Sequence, residues 1–312
     1  MNNILITGSS GMVGTRFFET VIKKGHVALG VDRRKNNWNK SLNKYTSIVN
    51  ILKTKELANL PKDIELIFHL AANARVYDLV KTPSLSLENA VSTFNLLEFA
   101  RRRNVKGLVF ASSREVYGDV IQTGVISENM INVEKCKSPY SASKIYGESL
   151  IHAYHKAYGI DFVIMRLSNV YGMYDDSDRV IPLWIQQTLN NRDLMVYGED
   201  KALDFNYIND TVNGMILIGE KFDSIKNTTF NIASGQRTNL LSVAQKIRSL
   251  LGGENSILIK KNRLGEVTSF QADISKATEL LGYKPKVDLD EGLQKTVTWY
   301  QKYYRSTKQT IT

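Results

Sequence analysis

The sequence predicts an α/β protein: a doubly wound parallel sheet completed by a smaller, mostly C-terminal α/β lobe. Three observations carry this expectation. Short apolar runs of strand length alternate with helical stretches through the first half, the pattern of buried parallel strands covered on both faces. A glycine-spaced turn, Gly8-x-x-Gly11-x-x-Gly14, joins the first strand to the first helix. And 312 residues exceed what one core usually organises, which suits a large domain with a smaller companion.

The first strand covers residues 3–7 and the first helix follows to about residue 24. Gly8 permits the tight turn, Gly11 lets backbone approach a pyrophosphate, and Gly14 allows the helix to pack closely on the strand. The helix N-terminus, from Met12, offers unpaired N–H groups to phosphates. This is the Rossmann-type signature. The next strand, residues 26–31, ends at Asp32, where a carboxylate accepts ribose hydroxyls and repels a 2′-phosphate. Arg33 and Arg34 beside it suit NADP, but Asp32 makes NAD the expected cofactor. Further strands are expected at residues 45–49, 65–70, 105–111 and 161–167, with a long helix at 84–103. The strand at 65–70 closes on Leu70, Ala71 and Ala72, small enough at the alanines for backbone to lie against a cofactor. In such sheets ligands bind beyond the carboxyl ends of the strands, where Gly8, Asp32, Ala71, Ser112 and Ser113 all fall.

The chemistry is expected around Ser138-Pro139-Tyr140-Ser141-Ala142-Ser143-Lys144. Ser138 is a good helix cap and Pro139 suits the first helical position. Tyr140 and Lys144 then share one helix face. Lowering a phenol by roughly three pKa units takes about 4 kcal/mol, within reach of a desolvated ammonium plus a nicotinamide cation. Ser113, at the end of the preceding strand, adds a hydroxyl donor beside that base.

The formal charge is +10, but Lys and Arg are spread along the chain, and Arg101-Arg102-Arg103 closes a helix whose dipole favours cations there. Solvated surface and an anionic substrate are expected, not nucleic acid. No apolar run reaches the ~18 residues of a membrane span, and the chain enters a strand without a signal-type leader. Cys136 is the single cysteine, so no intrachain disulfide forms and a reducing cytoplasm fits. No metal is expected.

The chain resembles the extended short-chain dehydrogenase/reductases that act on nucleotide sugars. The resemblance rests on Thr7-Gly8-x-x-Gly11-x-x-Gly14, Asp32, His69-Leu70-Ala71-Ala72, Asn89, Ser113-x-x-Val116-Tyr117-Gly118, Tyr140-x-x-x-Lys144 and Arg166-x-x-Asn169-Val170-Tyr171-Gly172. Arg263-Leu264-Gly265-Glu266-Val267 and Asp273-x-Ser275-Lys276-Ala277 belong to it too. It implies a dinucleotide domain over residues 1–168, with segments near 203–231 returning to it, and a substrate lobe mainly over 169–312. Tyr140 is implied as the base, Lys144 as its partner and holder of the nicotinamide ribose, and Ser113 as the donor to the sugar hydroxyl being oxidised. Asn50, next to Ile51, stands where the family often faces adenine with aspartate. Asn169 and Arg263 match diphosphate-holding positions. Leu203 replaces an arginine that often holds phosphate; Lys201 and Arg179 are the alternatives. The family's usual homodimer, a four-helix bundle, implies pairing through helices 84–103 and 140–158.

The implied reaction begins with C4 oxidation of a nucleotide-diphosphate sugar by NAD, and the 4-keto intermediate has several fates. Glu115 matches the glutamate of dehydratases and decarboxylases, which favours chemistry at C5. Arg114 replaces the dehydratase aspartate, and a guanidinium cannot donate the needed proton. It can pair with a uronate carboxylate, or with Glu115. The expected function is therefore NAD-dependent 4-epimerisation, of UDP-glucose and UDP-galactose first. A 4,6-dehydratase, a UDP-glucuronate decarboxylase or 4-epimerase, and a 4-keto-sugar reductase are the alternatives. A non-enzymatic regulator fits less well, because Ser113, Tyr140 and Lys144 are all present.

Overall fold

The computed structural model describes residues 3–118 and 124–309. In chain order the strands and helices are β1 (Ile4–Thr7), α1 (Met12–Lys23), β2 (Ala28–Asp32), β3 (Thr46–Ile48), α2 (Thr54–Leu57), β4 (Leu66–His69), α3 (Val76–Lys81), α4 (Ser84–Arg103), β5 (Gly107–Ser113), α5 (Pro139–Tyr158), β6 (Asp161–Leu167), β7 (Asn169–Tyr171) and α6 (Val180–Leu189). There follow β8 (Leu194–Tyr197), β9 (Ala202–Tyr207), α7 (Ile208–Glu220), α8 (Phe222–Ile225), β10 (Thr228–Ile232), β11 (Arg237–Asn239), α9 (Leu240–Leu250), β12 (Ile257–Lys260) and α10 (Leu289–Gln309). Short 3-10 turns join several of them.

The main sheet has seven strands in the order β10-β6-β5-β4-β1-β2-β3, and every pairing in it is parallel. Its central strands β1, β4 and β5 are buried throughout because helices cover both faces. One face packs Leu96, Leu97 and Phe99 of α4 and Ile151 and Tyr154 of α5. The other packs Phe17, Phe18 and Val21 of α1 with Val212 and Met215 of α7, and that core runs on into the second lobe. The seventh strand, β10, comes from far along the chain and pairs with β6. The segment that returns to the sheet is thus α7 to β10. Leu203, which sequence placed at its start, lies in a separate three-stranded sheet of β11, β9 and β7. A two-stranded sheet of β12 and β8 completes the second lobe.

Local signals account for the elements that carry the site. Ser138 caps α5, its hydroxyl accepting from the Ser141 N–H at 3.1 Å, and Pro139 occupies the first turn. Gly159 stops the helix in the left-handed conformation. The closing helix α10 runs from Leu289 to Gln309. Among the described residues no helix is long and apolar enough to cross a membrane.

Candidate active site

Two connected cavities lie beyond the carboxyl ends of the main-sheet strands. The first, of 280 Å³, runs from Gly8 and Gly11 past Asp32, Asn50 and Ile51 to Ala71, Ala72 and Asn89. Gly8 takes φ +70°, and a side chain there would meet the Ala71 nitrogen at 2.7 Å. A Cβ on Gly14 would stand 2.0 Å from the Gly8 carbonyl oxygen, so α1 packs on the turn as the glycine spacing predicts. Gly11 is the N-cap of α1 and brings no side-chain hydrogen bond, leaving the first turn without a side-chain cap; Met12, Val13 and Gly14 of that turn line the adjoining cavity. The Asp32 carboxylate is oriented by the backbone N–H groups of Ser10 and Arg34, at 3.0 and 3.1 Å. Asn50 also lines the cavity; its side-chain oxygen accepts from the Leu52 N–H. Asn89 has a shaping role: its amide brackets the Asn73 backbone and reaches Ser143. Arg33 and Leu70 complete the rim. A glycine-floored cradle, bare helix N–H groups and an oriented carboxylate fit a dinucleotide.

The second cavity, of 500 Å³, shares Gly8, Gly11, Arg34, Leu70 and Ala72 with the first and opens between the lobes. Ser113, Tyr140 and Lys144 meet on its wall, with Met12 and Gly14 at the junction. The Ser113 hydroxyl hydrogen-bonds the Tyr140 phenol. Lys144 Nζ donates to the Ala111 carbonyl at 2.7 Å and lies 5.9 Å from the Tyr140 ring centre. Burial pushes Tyr140 up to about 12; Glu115 adds to this, while Ser113, Arg179 and Arg114 act against it. The Lys144 ammonium, expected together with a nicotinamide cation to lower the phenol, here donates to the Ala111 carbonyl, and burial is the largest influence on Tyr140. Burial also lowers Lys144, to about 8, against the opposing pull of Glu148.

Arg114 and Glu115 form a buried ion pair at 2.8 Å, both less than 10 % exposed. Arg114 Nε donates to Asn169 Oδ1 at 3.2 Å, and Asn169 donates in turn to the Asp204 carbonyl. The pair with Glu115, one of the readings open for Arg114, is present here. Arg179 borders the cavity 3.2 Å from Asp175, and Arg263 stacks over the Tyr77 and Tyr197 rings. Lys201, one alternative for the missing phosphate arginine, is buried against Glu266 at 2.5 Å. Sequence reasoning missed the aromatic wall of Trp38 and Tyr174, whose rings pack together and onto Trp299 of α10. Only the unusual aromatic density near the C-terminus hinted at it.

Residues 4–233 match the NAD dependent epimerase/dehydratase family. The chain belongs to that family. Family relatives resemble it from end to end. A UDP-glucuronate 4-epimerase of Thermodesulfobacterium geofontis is 32 % identical, over 96 % of each chain. The crystal structure of a UDP-glucose 4-epimerase from Thermotoga maritima, with UDP-glucose, superposes with a TM-score of 0.90 at 28 % identity, covering 97 % of this chain and 100 % of that one. A Bacillus cereus UDP-glucuronic acid 4-epimerase, solved with UDP-glucuronic acid and NAD, gives 0.88 at 28 % identity over the same shares. Membership in this NAD-dependent epimerase/dehydratase family agrees with the Rossmann-type sheet and with the cradle around Gly11.

Proposed function

We propose that the chain is an NAD-dependent UDP-sugar 4-epimerase, an isomerase working through a transient 4-keto sugar, with UDP-glucose and UDP-galactose as the first pair to test. The observation that carries this over a lyase is the Arg114–Glu115 pair. A dehydratase needs an acid and a base at C5 and C6; here one candidate is a permanent cation and the other is its counter-ion. The relatives' 4-epimerase activities support the same choice.

In this reading Tyr140 takes the proton from the C4 hydroxyl and returns it, and Ser113 orients that oxygen by donating to it. Lys144, anchored on Ala111, holds the nicotinamide ribose and keeps a positive charge beneath the site. Bound NAD supplies the hydride acceptor and a positive ring beside the phenol. Gly8, Gly11, Gly14, Asp32 and Asn50 hold the dinucleotide, and Arg179 and Arg263 hold the substrate diphosphate. The domain division follows: residues 1–168 with α7 to β10 serve the cofactor, and the rest serves the sugar nucleotide.

A second reading, 4-epimerisation of UDP-glucuronate, is favoured by two of the relatives and by Arg179, whose side chain is 40 % exposed in the cavity. Incubation with a panel of UDP-sugars and NMR of the products, with no added cofactor, tests both. A 4-epimer without net NADH supports the proposal, and the accepted sugar chooses between the readings. A pentose with carbon dioxide, or a 4-keto-6-deoxy sugar, replaces it with a lyase.

The proposal includes a homodimer. Leu87, Val91 and Phe94 recur at helical spacing on α4 and are exposed, as is Tyr146 on the adjacent α5. Two such faces form a four-helix bundle. A cytoplasmic location is part of the same reading, supported by the single cysteine.

A further inference from the structure

Behind the active-site wall lies a buried charged network with no part in the chemistry above. Tyr140, Lys144 and Glu148 recur every four residues along α5, so they share a face turned toward β5 and β6. Glu148 is 4 % exposed. Its Oε1 accepts from Ser112 Oγ at 2.5 Å and from Arg166 Nε at 3.0 Å, and its Oε2 from Arg166 Nη2 at 2.7 Å. Arg166 Nη1 donates to the Tyr117 hydroxyl and the Glu128 carbonyl. Tyr117 donates to Asn231 of β10.

We propose that Glu148 is a positioning residue: clamped by Arg166 and Ser112, it fixes where Ser113 and Lys144 stand relative to Tyr140 and sets the buried negative charge that Lys144 feels. The inference rests on the reading of Tyr140, Lys144 and Ser113 as the catalytic group. Three consecutive residues at the end of β5 are tied to α5 one after another. The Ala111 carbonyl takes the Lys144 ammonium, Ser112 bonds Glu148, and Ser113 bonds Tyr140. Losing the middle tie loosens the register of the other two. A positioning shift of this size acts on turnover more than on substrate binding.

The electrostatic part concerns the groups that face Lys144. From α5 these are Tyr140 and Glu148, with His152 one turn further on. From β4 comes His69, which burial and Lys144 hold neutral by lowering it to about 3. Arg166 of β6 engages Glu148 itself. Glu148 is therefore the charge that works against burial to keep Lys144 protonated. Replacing it by a neutral amide lowers Lys144 further and leaves Arg166 uncompensated, which pushes the same way. The ammonium is then lost at lower pH, and the alkaline limb of turnover moves down.

The test is Glu148→Gln in the NAD-bound full chain. The Lys144 side-chain resonance, identified as the one missing from Lys144→Met, is titrated by NMR without substrate. We expect its midpoint to fall by about one pH unit, the alkaline limb of kcat to follow it, and kcat to drop roughly tenfold with KM little changed. Glu148→Asp keeps the charge while shortening the reach to Ser112; it should lower kcat and leave the titration in place. Ser112→Ala should lower kcat severalfold, again without moving Lys144. An unmoved Lys144 titration in Glu148→Gln overturns the electrostatic role. Should that variant fail to fold, wild-type kcat in both Glu148→Asp and Ser112→Ala overturns the positioning role. Because the titration needs no substrate, it stands even if none of the UDP-sugars is turned over, an outcome that would instead remove the proposed function.

Discussion

The two cavities are built by different means. Around the first, backbone does most of the work: a turn that needs Gly8 at φ +70°, a helix that touches the turn through Gly14, and a helix start at Gly11 with no side-chain cap. Around the second, charged side chains do it, and most are already paired. Arg114 meets Glu115, Lys201 meets Glu266, Arg75 meets Asp178 and Arg179 meets Asp175. A glycine cradle tolerates no side chain but carries little chemical choice. A set of paired charges carries the choice, because replacing one partner leaves the other without its counter-ion. The cofactor half should therefore fail by steric exclusion, and the substrate half by uncompensated charge.

The largest effect is expected at the junction of the two. Tyr140→Phe should keep NAD binding, read by calorimetry, while turnover falls by about 10²–10⁴-fold. Arg114→Ala comes next. It leaves Glu115 buried without its cation, a loss of about 3–5 kcal/mol by denaturant unfolding near neutral pH. On the cofactor side, Gly14→Ala drives a methyl toward the Gly8 carbonyl and should cost roughly 1–3 kcal/mol of stability, with weakened NAD binding. The smallest effect concerns cofactor choice. Asp32, held by Ser10 and Arg34, should favour NAD over NADP, and Asp32→Ser should narrow that preference without unfolding the chain. Equal affinity for both cofactors in the parent protein would assign the pocket to Arg33 and Arg34.

The same division explains what was legible in the sequence. Glycine spacing and apolar runs report backbone, so the expected helix at residues 84–103 is α4, to the residue. Side-chain partnerships across long separations leave no such mark. The pair of Glu148 with Arg166, the burial of Lys201 on Glu266 and the packing of Trp38 on Trp299 join segments whose contact depends on topology. β10 escaped as a sheet strand for the same reason: it enters beside β6 from more than 60 residues away. Tyr140 was placed by its motif, but its upward shift follows from how deeply α5 packs, which no local pattern records.

Of these features, the Arg114–Glu115 pair bears most directly on the reaction. Turnover of the accepted UDP-sugar in deuterated water, with mass and NMR analysis of the sugar, reads it at C5. If Glu115 is held as the counter-ion of Arg114, the 4-epimer forms with C5 unlabelled, and Glu115→Gln retains appreciable activity. Deuterium at C5, or carbon dioxide release, at the rate of turnover would contradict the account.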